Sequence, residues 1–287
     1  TGALGTADNA IINGTLFSTG RVFVLANGNI LVGDGANITT IGGLVLSTLQ
    51  ESSDFSFTTA GNLTFTGAAL GNVTIGAPTA AIIAPQIAGN LEVWAGAITS
   101  NRASITGDAV LRTVTANQGL DLAATGNVSV TGNLSVITNN GAISATNAIA
   151  AGSATGNQTA SFTTGSSGNA SVTLTNAAND FEWVTVNAPG TNGNVSIVDA
   201  NIVTLGASSV GGNLQVIANG TAGTTAIATN GVLAVTGTSN FATVLGNSGI
   251  TIGSNSTLTG MVNATTSNSA VSITTAGPLT VGNVVTG

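Results

Sequence analysis

The chain has 287 residues, of which 5% are charged and 3% aromatic, with 40 glycines and neither Cys nor His. Ten acids against three arginines (Arg21, Arg102 and Arg112) give a formal charge of −7, which argues against nucleic acid as a partner. Without Cys, His or Lys there are no disulfides, thiolate metal sites, His-dependent triads or Schiff bases, and with 43% hydrophobic residues and a mean hydropathy of +0.46 the chain is not a disordered one.

The opening residues TGALGTADNA contain no basic region and no apolar stretch, so any signal peptide is expected to have been removed already. Residues 20–49 then alternate small apolar and small polar side chains between glycines. Within them GDGAN (33–37) reads as a turn, because the full calcium-binding nonapeptide repeat is absent. Glu51 and Asp54, in QESSDF, read as a polar turn between strands. NLTFTG (62–67) and NVTIG (72–76) follow as short strands. The most apolar window, 79–98, is broken by Pro85, Gly89 and Glu92, so it is not expected to span a membrane.

Strands continue at NLEVWAG (90–96), NVSVTGNLSVITNNG (127–141), ASVTLTN (170–176) and NVSIVDA (194–200). They go on at NLQVIANG (213–220), VLAVTG (232–237), ITIGSNSTLTG (250–260), AVSITTAG (270–277) and LTVGNV (279–284). Each places Leu, Val, Ile or Phe at alternate positions with Thr, Ser or Asn between, the period of a strand with one buried face. Pro78, Pro85, Pro189 and Pro278 are expected at corners, where no ladder donor is lost.

A sandwich and a solenoid both accommodate short strands, and three features favour the solenoid. The unit G-N-[LV]-x-[VIF] returns at irregular multiples of roughly 20 residues. The apolar residues are small and aliphatic, suited to a narrow bore rather than to the large anchors of a sandwich. Asn and Thr recur at similar places, as expected of ladders of like residues. Stacking at about 4.8 Å also explains the scarcity of charge, since a charge repeated in every coil would repel its neighbours. The expectation is a single all-β domain, a parallel β-helix of about a dozen coils over residues 1–287.

Chemistry-bearing residues are sparse. Asp180 and Glu182 in NDFEW stand two apart on an expected strand, with Phe181 and Trp183 expected to face inward. That spacing suits a glycosidase pair or a calcium site, but the reading adopted is two solvent-facing acids. Trp94 and Trp183 are read as core-packing or groove-lining residues rather than a sugar platform. No catalytic, cofactor or metal residue is assigned.

The segment Asn9 to Leu49 resembles the secretion domain of filamentous-haemagglutinin-like proteins, the exoproteins of two-partner secretion. The residues carrying the likeness are Ile12, Gly14, Leu16, Gly20, Val22, Phe23, Val24, Gly42, Gly43, Leu44, Val45, Ser47, Thr48 and Leu49. Its turn reads ANGN (26–29) where that family usually has N-P-N-G. Residues 1–50 thus resemble the later part of such a domain, and 51–287 read as repeat coils. Leu174 to Gly220 is similar to the repeat arms of large bacterial surface adhesins, where N-D-F starts one coil and G-G-N-L-x-V another. The resemblance implies a right-handed β-helix at a bacterial surface, used for adhesion, biofilm or a fibre.

The function expected is non-enzymatic: a secreted surface-filament subunit that assembles with itself, head to tail, through uncapped coils. The competing reading is a monomeric adhesin segment that binds glycans or neighbouring cells. A weaker one is a polysaccharide-degrading enzyme on the same scaffold, resting on Asp180 and Glu182.

Overall fold

The computed structural model describes residues 8–49, 68–69, 71–78, 83–152, 158–166, 168–220 and 222–287. Among them are 32 strands and no helix. All ladders between these strands are parallel, and they build three sheets that the chain visits in turn. The first sheet runs from Ala10–Ile12 to Thr280–Val285 and has twelve strands; the second, from Thr15–Ser18 to Asp180–Phe181, has seven. The third begins at Val22–Leu25 and has thirteen strands, twelve on its main path and Val271–Thr275 beside it on Gly249–Leu258. Beyond Trp183 the chain segments between the first and third faces pair into this third sheet, starting where Val203–Leu205 joins Trp183–Ala188.

The result is a parallel β-solenoid of about 11 turns, which at the interstrand spacing is a stack roughly 50 Å long. The expected dozen coils assumed an even length, and the turns are uneven. Corner-to-corner hydrogen bonds join residues 18 apart at Asn90 and Asp108 but 43 apart at Asn29 and Asn72. The long turn holds an antiparallel bridge between Leu49 and Ala69. The strand expected at 62–67 and the acids Glu51 and Asp54 lie outside the described residues. The other expected strands are present, and the four prolines all fall outside strands.

The core is a set of columns, each made of one inward side chain per turn. On the first face Ile30 stacks on Val73, then Ile98, Leu120, Ile143, Val172, Val195 and Leu214. All are buried. On the third face Val93, Leu111, Val136, Phe162 and Val186 form another column. Phe162 packs edge-on against Phe181 with centroids 5.9 Å apart, filling the bore where the turns are wide. The first column continues through Ser239, whose hydroxyl is buried without a hydrogen-bond partner, to Val262. An unmatched buried hydroxyl costs stability. Ser239→Ala is therefore expected to raise stability by about 1 kcal/mol, read as a higher urea midpoint; a lower midpoint would show that the hydroxyl is needed.

The corners explain the recurring Gly-Asn pair. Asn133 N–H donates to Asp108 Oδ1 at 2.8 Å, and Thr159 N–H donates to Asn133 Oδ1 at 2.9 Å. One segment further on, Asn213 N–H donates to Asn194 Oδ1 and Thr238 N–H to Asn213 Oδ1, each at 2.8 Å. Each side-chain oxygen so caps the backbone of the next turn, which supplies an acceptor where the sheet ladder stops. The glycine before it is forced by the same stacking. A Cβ on Gly132, just before Asn133, would sit 2.8 Å from Gly107 C and collide with Asp108 Oδ1.

Candidate functional site

The two acids singled out from the sequence do not share a strand. Asp180 belongs to Asp180–Phe181, Glu182 occupies a bend, and Trp183–Ala188 begins after it. Phe181 is fully buried as expected, whereas Trp183 is only half-buried and the next inward residue is Val184. The bend at Glu182 turns the corner between two faces and shifts the alternation by one residue, which corrects the expected inward Trp183. Asp180 Oδ1 accepts a hydrogen bond from Asn201 Nδ2 at 3.1 Å.

Behind Asp180 lies Asp199, which the sequence reading did not single out. It is fully buried and accepts the N–H groups of Phe181 and Asn201, each at 2.8 Å. Burial pushes its carboxyl up to about 7, against the pull of those two donors, and the neighbouring charge of Asp180 adds to the rise. A carboxyl with no exposed surface has no contact with a substrate, so this pair is part of the corner rather than an open acid pair. Its signal was legible in NVSIVDA, because Asp199 shares the phase of the buried Val195 and Ile197.

The most developed surface feature is on the outer side of the third sheet. Register sets Glu92 and Trp94 of Leu91–Ala95 beside Val110 and Arg112 of Ala109–Thr113. Trp94 Nε1 donates to Glu92 Oε1 at 2.7 Å, and Arg21 NH2 approaches Glu92 Oε2 at 2.5 Å. The Arg112 guanidinium lies over the Trp94 ring, 4.8 Å from its centroid, and Arg21 lies 5.4 Å from the Phe23 ring. Arg102, the third cation, is largely buried, with Nε 3.9 Å from Asp34 Oδ1 and NH2 3.1 Å from Thr125 Oγ1. Asp34 itself lies in the GDGAN turn, where its Oδ1 accepts Ala77 N–H.

This outer cluster escaped sequence reading because Arg21 and Glu92 are 71 positions apart and meet only across the long turn. Trp94 and Arg112 were separately visible, but their contact depends on register. Among the described residues no group of three or more His, Cys, Asp or Glu is placed to hold a metal ion, and no helix is long and apolar enough to cross a membrane.

Parallel stacking, corner ladders and one-residue-per-turn columns define a β-solenoid repeat protein. The chain belongs to the family described as repeats of unknown function (DUF5649), whose model matches residues 111–187 and 192–265, together just over half of it. Each matched stretch spans three turns. The first runs along the column Leu111, Val136, Phe162 and Val186, and the second along Val195, Leu214, Ser239 and Val262. No curated protein and no solved structure matches the chain.

Proposed function

We propose that this protein is a non-enzymatic structural element of a bacterial surface, a β-solenoid that extends into filaments by stacking on further copies of itself. The observation that supports the reading is the apolar outer edge that the Thr280–Val285 strand presents among the described residues. Among the described residues it pairs with Met261–Thr265 alone, and Val281, Val284 and Val285 stand 59%, 44% and 40% exposed. Beside it Val271, Ile273 and Leu279 are only partly covered. Such an edge offers unpaired N–H and C=O groups above an apolar column, and another parallel layer satisfies both. Further turns of one polypeptide or the first turn of another copy are equivalent as that layer; the proposal is the second. Placement outside the cell draws on the likeness of Asn9 to Leu49 to two-partner-secretion exoproteins and on the scarcity of charge.

Stacking predicts fibres whose amount grows with protein concentration, seen by electron microscopy and sedimentation. Val281→Lys with Val284→Lys places two charges on the edge and is expected to leave the solenoid folded while abolishing fibres. Monomers of the parent chain at high concentration, or fibres unchanged by the two lysines, would count against the reading. A second reading, adhesion to glycans or neighbouring cells, is favoured by the Trp94 and Arg112 cluster on the third face.

A further inference from the structure

The outer side of the third sheet holds a shallow trough along the axis of the stack. Register places Trp94, Arg112, Ile137, Thr163 and Asn187 in one row over successive turns, and the row continues to Ala234. Two hollows lie on it. One, of about 320 Å³, is lined by Trp94, Arg112, Ile137 and Asn139; the other, of about 530 Å³, by Thr163, Asn187, Ser209 and Val232. They are consecutive, because Ile137 of the first pairs directly with Thr163 of the second.

The charge in this row is one-sided. Among the described residues Arg112 makes no ion pair, while Arg21 sits on Glu92 and Arg102 lies beside Asp34. Glu92, two residues before Trp94 on the same strand, has one oxygen on Arg21 and the other on Trp94 Nε1. The row from Trp94 to Ala234 contains no carboxylate. In a chain of charge −7, a guanidinium held over an indole keeps a planar fork of donors suited to a carboxylate. The stack on Trp94 fixes that fork before any ligand arrives, so little rotamer entropy is lost on binding.

The rest of the trough narrows the partner. Ser161, Thr163, Thr185, Asn187 and Ser209 offer hydroxyl and amide groups at one layer per turn, about 4.8 Å apart. A polymer of hydroxyl-rich rings meets such a row with one ring near each layer. A peptide is a poor occupant, because the backbone groups of these strands are already paired within the ladders. A nucleic acid is poorer still, since one uncompensated cation cannot neutralise a run of phosphates.

We propose that this trough binds a linear acidic polysaccharide, with a uronate carboxylate on Arg112 and the sugar chain lying along Thr163, Asn187 and Ser209. The proposal rests on the adhesive reading and names its ligand class. The probe is a galacturonate hexamer, compared with the same hexamer after reduction of its carboxyls to alcohols, by calorimetry and by tryptophan fluorescence. Trp94 is one of only two tryptophans, so Trp183→Phe isolates its signal.

The acidic hexamer is expected to quench Trp94 and to bind at least about tenfold more tightly than the reduced one. Arg112→Gln, with its fold checked by circular dichroism, is expected to erase that preference. Parent-chain selectivity needs no variant and so stands even if Arg112→Gln fails to fold. Equal binding of the two hexamers, or selectivity that survives Arg112→Gln, overturns the ligand class and leaves adhesion in place. No binding of either hexamer, together with no binding to a glycan array or to cells, removes both.

Discussion

Between about pH 4 and pH 7 the protein is expected to lose stability as the pH rises, with Asp199 as the source. Its carboxyl titrates near 7 when folded, against 3.8 for the ordinary group, because burial disfavours the charged form. In that window the folded chain holds a proton that the unfolded chain has released, so each step up in pH favours unfolding. The stabilising contribution is complete below about 4 and gone above about 7. A shift of this size corresponds to about 4 kcal/mol, and the side chain has no exposed surface through which solvent would screen it.

Repulsion among the ten acids gives a slope of the same sign, so the informative quantity is the difference from Asp199→Asn. The variant should be less stable than the parent at pH 4, because its amide presents an N–H group to one of the two backbone donors. By pH 8 the gap should narrow or reverse. Urea unfolding at each pH reads this out. Parallel pH profiles for parent and variant would show that Asp199 keeps its charge in the corner and that the two N–H donors outweigh burial.

Asn179→Ala is expected to destabilise the protein by about 3–5 kcal/mol, lowering the melting midpoint by roughly 10 °C. Asn179 is fully buried. Its Oδ1 accepts Ile149 N–H at 2.9 Å, and its Nδ2 donates to Leu174 O at 3.0 Å and Val198 O at 3.2 Å. One amide therefore ties its own turn to the turns before and after it, across 30 and 19 positions. Alanine leaves three backbone groups without that partner in a region water does not reach. Asn187→Ala, at an exposed position, is the control and should move the midpoint little. If the two variants melt alike, the buried amide is not holding the turns together.

The legible part of the fold was the part encoded locally. NVSIVDA and NLQVIANG show alternation and a Gly or Asn boundary within a few residues, and both are strands at the expected places. The N-D-F triplet also carried more than a likeness: Asn179 bridges turns, Asp180 holds Asn201, and Phe181 fills the bore. Trp183 was misplaced because alternation assumes a continuous strand, and the corner at Glu182 breaks it. The surface cluster was hidden for a different reason. Arg21, Glu92, Trp94 and Arg112 are assembled by register, and register depends on turn lengths that range from 18 to 49 residues.

Each family-matched stretch leaves and re-enters the stack on the same column after three turns, Leu111 to Val186 in one case and Val195 to Val262 in the other. Duplicating or deleting such a unit within a gene lengthens or shortens the rod by about 14 Å without shifting any neighbour's phase. Length is thus a property that relatives can change in whole steps, by recombination rather than by redesign of the interior.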